Sequence, residues 1–489
     1  MHLNLQARRE EHAKNERADI IYRIITNKNR SPRTPSRSPR TPSKPSPSKP
    51  SPSKPSPSKP SPSKPSPSKP SPSNTSLPPV SLRDLPDDVL RKLTLINYKS
   101  LLTTYNLREW IPLRKIDWSF FSLNPNAIDF LSLRANKKHI DYSQLCKNTN
   151  PKALILIAEE IARNPNNPDI DWFALSANPY AIDILEANRY NIDWSAISSN
   201  TSPKAIQLIK DIQLARANGR ISLYWNTISA NISTEAVNFL SSPENYSYIW
   251  WDFFSANTNP KAIEMLIAKE SEEFALEDAE FNRLKPMQKI SWKNLSKNPK
   301  AISLLEKKWE EDKDLMRDDM PQYKILRRKQ YIVAWDKMSS NPNAIHLLRE
   351  KIAEEGKMSK KQYDSLKEIE KVNWINLSAN EKAIKLLEEN PTKIDWYELC
   401  KNPKAIRLIE NELLVRPENI NWRRLSQNPE AVRILGNNKD KIVWSYFSAN
   451  PSAGELLRER IEYEKKKPND KSNPLDWAGI SKNPSIFTY

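Results

Sequence analysis

The stretch Ile394-Asp395-Trp396-Tyr397-Glu398-Leu399-Cys400-Lys401-Asn402-Pro403-Lys404-Ala405-Ile406-Arg407-Leu408-Ile409 is one copy of a block that occurs thirteen times in 489 residues. An aromatic residue anchors each copy: Trp118, Tyr142, Trp172, Trp194, Trp225, Trp251, Trp292, Trp335, Trp374, Trp396, Trp422, Trp444 and Trp477. Two positions before the anchor stands Ile, Leu or Val, and three after it Leu, Ile, Phe or Met. Six after it stands Asn in every copy, from Asn124 to Asn483. The shortest spacing, Trp172 to Trp194, is 22 residues.

That spacing predicts two short helices per copy. Asp before the anchor (Asp117, Asp171, Asp193, Asp395, Asp476) suits an N-cap, where a carboxylate accepts from the free amides of the first turn. The anchor and the residue three later then share one helix face. Asn-Pro, as in Asn341-Pro342, predicts the second helix, with Asn as cap and Pro at the first helical position. A 22-residue helix pair cannot bury its own apolar side, so the copies must stack. The expectation is an all-α fold, an α-solenoid of about thirteen short helix pairs over residues 114–489.

Four copies hold two extra residues between the Asn and the second helix, so that Asn150, Ser202, Ser233 or Asn259 must be the cap. The earlier Asn persists in them, which predicts a second role: ending the first helix in a left-handed conformation and bonding to turn backbone. Four after the anchor is Ser in eleven copies and Cys in two, Cys146 and Cys400, which reads as a small packing slot. The acid-rich runs near Glu270–Glu273 and Glu310–Asp314 read as solvated faces. Three intervals, beginning at Trp251, Trp292 and Trp335, run to 41, 43 and 39 residues, each adding about one helix and a turn of charged sequence.

The rest of the chain divides into a basic segment (1–30), a Ser/Pro/Lys-rich linker (31–80) and a helical segment (81–113). Lys plus Arg is 77 and Asp plus Glu is 59. Residues 1–80 hold 16 basic and 4 acidic side chains, two-thirds of the +18 excess. Residues 31–73 use only Ser, Thr, Pro, Lys and Arg, so nothing offsets the entropy of ordering them and a disordered tail is expected. Such a tail suits sequence-blind, salt-dependent contact with nucleic acid, or simple spacing. Ser/Thr-Pro-x-Lys/Arg occurs at Thr34, Thr41, Ser46, Ser51, Ser56, Ser61 and Ser66, which are candidate phosphosites.

Five isolated Gly exclude a phosphate-cradling loop, four scattered His exclude a local zinc motif, and no apolar run reaches membrane-spanning length. Two Cys far apart fit a reducing compartment. The expectation is an intracellular protein that is not an enzyme, has no cofactor and meets no membrane, with a protein partner in the solenoid groove.

Leu123-Asn124-Pro125-Asn126-Ala127-Ile128, Ile170-Asp171-Trp172 and Ser340-Asn341-Pro342-Asn343-Ala344-Ile345 resemble the tandem Asn-Pro-Asn-Ala-Ile repeats of large nucleocytoplasmic DNA viruses. The resemblance covers about residues 114–489. It implies a viral origin and an interaction scaffold in the host cytoplasm or nucleus, with no catalytic residues to carry over. The tail is similar to the Pro/Lys-rich repeats of chlorella-virus structural proteins, with Ser-Pro-Ser-Lys in place of Pro-Ala-Pro-Lys, which implies a place in the virion. Residues 82–110 resemble an F-box in outline, through Leu85, Pro86, Val89 and Leu90, then Ser100-Leu101-Leu102 and Trp110. That implies docking on a ubiquitin-ligase adaptor, with the repeats holding a substrate. The alternative is that residues 81–113 cap the first repeat's open face.

Overall fold

The computed structural model describes residues 104–215, 223–315 and 333–488. The seven candidate phosphosites and the F-box-like Leu85, Pro86, Val89 and Leu90 lie outside the described residues, as does the charged Arg327–Lys329 run of the second long interval.

Within the unit Leu85–Tyr489 the chain is an α-solenoid of helix pairs around one continuous apolar core. First helices are one or two turns, beginning at the anchor: Trp118–Leu123, Trp172–Ala177, Trp396–Leu399, Trp477–Lys482. Their caps are the aspartates the spacing singled out. Asp117 accepts from the amides of Ser119 and Phe120, Asp171 from Ala174, Asp193 from Ala196, Asp395 from Glu398 and Asp476 from Ala478. Asp141, Ser291, Asn373 and Asn421 cap in the same way.

Asn-Pro opens the second element as a tight turn before the α-helix proper. Pro403–Ala405 is a 3-10 turn capped by Asn402, and the α-helix follows at Ile406–Val415. The apolar residues of Ala-Ile-x-Leu-Leu face the core: Ala344, Leu347 and Leu348 are fully or almost fully buried. Where the sequence is longer, second helices lengthen to Pro260–Ala275, Ile302–Leu315 and Ile345–Glu355. One-turn helices follow two of them, at Asp278–Arg283 and Lys360–Ser365.

The first of the two acid-rich runs is not simply a solvated face, although Glu310 of the second is exposed. Glu270 and Glu273 are buried, which overturns that expectation. Lys269, Lys308, Lys351 and Arg460 lie over the anchors Trp251, Trp292, Trp335 and Trp444, the four anchors that are nearly fully buried. Four residues beyond three of these cations, a Glu turns back to the chain. Glu273, Glu355 and Glu464 accept from the amides of Ile290, Val372 and Leu475, each two residues before the next anchor. The longer helices thus carry a cation that roofs the tryptophan and a carboxylate that ties down the returning loop.

The last repeat packs on the first. Asp117 donates its amide to Ser481 Oγ, and Asn124 donates to the carbonyls of Ser481 and Asn483 at 3.0 and 3.1 Å. Beside this joint Asn106–Leu107 pairs antiparallel with Phe487–Thr488, and the Arg108 amide donates to Ile486 O. The repeats close into a ring. The first repeat therefore has no open face for residues 81–113 to cap, because the thirteenth repeat occupies it.

Candidate interaction surface

The invariant Asn explains the closure. Its φ and ψ are extended, −73° and 120° at Asn124 and −79° and 112° at Asn380, not left-handed as expected. The reason is that its side chain works in two directions at once. Oδ1 accepts from the amide two residues on, at 2.9–3.0 Å in copies from Asn124 to Asn483. In eleven copies Nδ2 reaches the preceding repeat and donates to two carbonyls, those of its Ser or Cys slot and its own Asn, while Asn402 reaches Ser378 O alone. Asn341 binds Ser296 O and Asn298 O, Asn428 binds Cys400 O and Asn402 O, and Asn450 binds Ser426 O and Asn428 O. An acceptor and two donors on one neutral group is what only a carboxamide supplies at this length.

The Ser slot forms a second ladder. Ser296 Oγ donates to the Trp292 carbonyl and accepts from the Ala334 amide of the following repeat. Ser426 and Ser448 do the same with Val443 and Asp476. Cys400 keeps the accepting half, its Sγ 3.3 Å from the Asn421 amide. The slot is more than packing. Its periodic hydroxyl was visible in the sequence, but the atom it serves was not. Burial pushes the Cys146 thiol up to about 12 and the Cys400 thiol up to about 11, so neither is poised as a nucleophile.

The remaining titratable residues are scattered. His139 stacks on Trp118, ring centroids 4.3 Å apart, and His346 pairs with Glu306 on the surface at 2.7 Å. Among the described residues no three His, Cys, Asp or Glu gather where they could hold a metal ion, and no helix is long and apolar enough to cross a membrane.

Invariant positions thus face inward, and in several copies the first-helix positions one and two after the anchor face out, though Ala196 and Gly479 are buried. There the ring exposes Phe120, Phe173, Phe253, Ile375 and Tyr397, from 39% to 59% accessible. Cations sit among them: Arg424 lies 4.1 Å over Tyr397 and bonds to Glu398, Arg423 lies 4.3 Å over Tyr446, and Lys482 reaches Phe120 across the closing joint.

One joint differs from the others. Twelve of the invariant asparagines are at most 5% exposed. Asn178 is only half-buried, and among the described residues its Nδ2 has no acceptor. Between its repeat and the preceding one lies a cavity of about 400 Å³ lined by Cys146 to Thr149 and by Phe173, Ala174 and Ala177 to Tyr180. The two repeats still touch, through Lys147 and Asp171 at 3.3 Å. Compared with protein-family models, with curated proteins and with solved structures, the chain matches none.

Proposed function

We propose that the protein is a non-catalytic interaction scaffold, a ring of helix pairs that holds a protein partner. One observation carries this reading: the positions that never vary among the copies are spent on joining repeats, while the varying outward positions present large apolar and aromatic side chains beside cations. Exposed aromatic and Arg side chains on a rigid frame are the residue types that dominate binding at interfaces. The frame holds them without having to be ordered on binding. The viral setting implied by the repeat phrases belongs to this proposal.

Substituting Ser for Phe173, Ile375 and Tyr397 together tests it. Proteins that co-purify with the full chain should be lost or strongly reduced, while thermal unfolding shifts little. A full chain that retains nothing beyond a control resin would sink the scaffold reading.

A second reading rests on charge. Residues 31–73 carry nine basic and no acidic side chains, which supports electrostatic binding of nucleic acid, weakened steeply by salt and reversed by phosphorylation. A salt titration on duplex DNA, before and after treatment with a proline-directed kinase, tests it. Absence of binding at low salt, or binding that survives full phosphorylation, would end it.

A further inference from the structure

Twelve joints of the ring show what fills the space between repeats: a carboxamide that donates to the preceding repeat, to two of its carbonyls in eleven joints and to Ser378 O alone from Asn402. At the thirteenth, between the Tyr142 and Trp172 repeats, that filling is missing. Asn178 Nδ2 points to no acceptor, and among the described residues the carbonyls of Cys146 and Asn148, which Asn178 would bond in register, receive no hydrogen bond. The corresponding carbonyls at the Asn428 joint, Cys400 O and Asn402 O, are both bonded at 3.0 Å.

The unmatched groups border the 400 Å³ cavity, whose walls include Phe173, Ala174, Ala177, Pro179 and Tyr180. That volume falls in the usual range for ligand sites, about 300–1,000 Å³. The slot is held at a set width rather than torn open. Lys147 pairs with Asp171 across it at 3.3 Å.

We propose that this seam is a peptide-binding site, taking an extended segment of a partner protein with one large apolar side chain. A peptide unit carries an N–H and a C=O. It can donate to Cys146 O or Asn148 O and accept from Asn178 Nδ2, doing what the missing carboxamide does elsewhere. The side chain enters the apolar part of the cavity, between Phe173 and Tyr180, both more than half exposed. Filling an existing slot with both polar and apolar partners in place avoids most of the reorganisation cost of binding.

This proposal rests on the scaffold reading and narrows it to one place. The probe is a displayed library of random linear peptides, panned on the full chain. Two variants report the site: Ala177→Trp fills the cavity, and Asn178→Leu removes the donor without filling it. Ala230→Trp, at the equivalent position of another repeat, controls for added bulk. Enriched peptides should share one large apolar residue and lose at least about tenfold in affinity for Ala177→Trp and Asn178→Leu, but not for Ala230→Trp. Peptides that bind all variants equally overturn the seam assignment and leave the scaffold standing. If the library yields no binder, the seam assignment falls, whereas the scaffold reading is decided separately by whether the unmodified full chain retains partner proteins beyond a control resin.

Discussion

At the scale of the residue, the fold depends on one side chain repeated thirteen times. Replacing Asn428 with Leu removes three hydrogen bonds and leaves Cys400 O and the Glu430 amide without partners inside the protein, while Asn402 O keeps only the Ala405 amide. Groups stranded in this way cost about 1–3 kcal/mol together with the bonds they lose. The same substitution at Asn178 removes only the bond to the Tyr180 amide and should cost less than about 0.5 kcal/mol, in the range of surface changes. Denaturant midpoints of the two variants, measured side by side, decide it. Equal losses would mean that the Asn ladder does not hold the repeats. The sequence displayed the Asn with no exception and even separated it from capping, through Asn148-Thr149-Asn150. It could not show that Nδ2 faces another repeat, because that depends on how two copies stack. The left-handed turn was inferred from local chemistry alone, and the inter-repeat bonds prevail by demanding an extended backbone.

At the scale of the element, the first helices are so short that their caps decide whether they form. Asp193 shows how this couples to pH. Its carboxyl is held below the usual carboxylate value by the Ser195 hydroxyl and then the Ala196 amide. A lowered folded-state value means that the stabilisation is fully present above the unfolded value and is lost as pH falls through the folded one. Asp193→Ala should therefore cost about 1 kcal/mol near neutral pH. The difference from the parent should shrink below about pH 4, where both lack the charged cap. Thermal melts of parent and variant across that range are the check, and a gap that widens in acid would refute the cap's role. Helix caps were readable because they are local. The roofing of Trp335 by Lys351 and the tie from Glu355 to Val372 were not, although Lys/Arg followed four residues later by Glu in three of the longer copies was an available signal.

At the scale of the molecule, closure removes the distinction between terminal and internal repeats. In an open solenoid Asn124 would have no preceding carbonyl to meet, so Asn124→Leu would be nearly silent. In the ring it should cost as much as Asn428→Leu, and hydrogen exchange should protect the Trp118 and Trp477 helices as well as those of the middle repeats. Fast exchange confined to those two helices would mean that the ring is open in solution. The stacking of helix pairs was legible in the period; closure was not, since it follows from small rotations summed over thirteen joints. Its one trace in the sequence is Asn124 itself, retained where an open end would leave it idle.

Because Asn106 and Thr488 are paired neighbours, the point at which this chain starts being a ring is a matter of genetics rather than of structure. A permuted gene that joins residue 488 to residue 104 through a short linker, and begins instead at the exposed turn before Trp396, would keep all the joints between repeats. It would exchange one covalent link for another of similar length. Chain ends in such an architecture are movable attachment points, so the long basic leader could in principle be grafted at any repeat boundary without redesigning the ring.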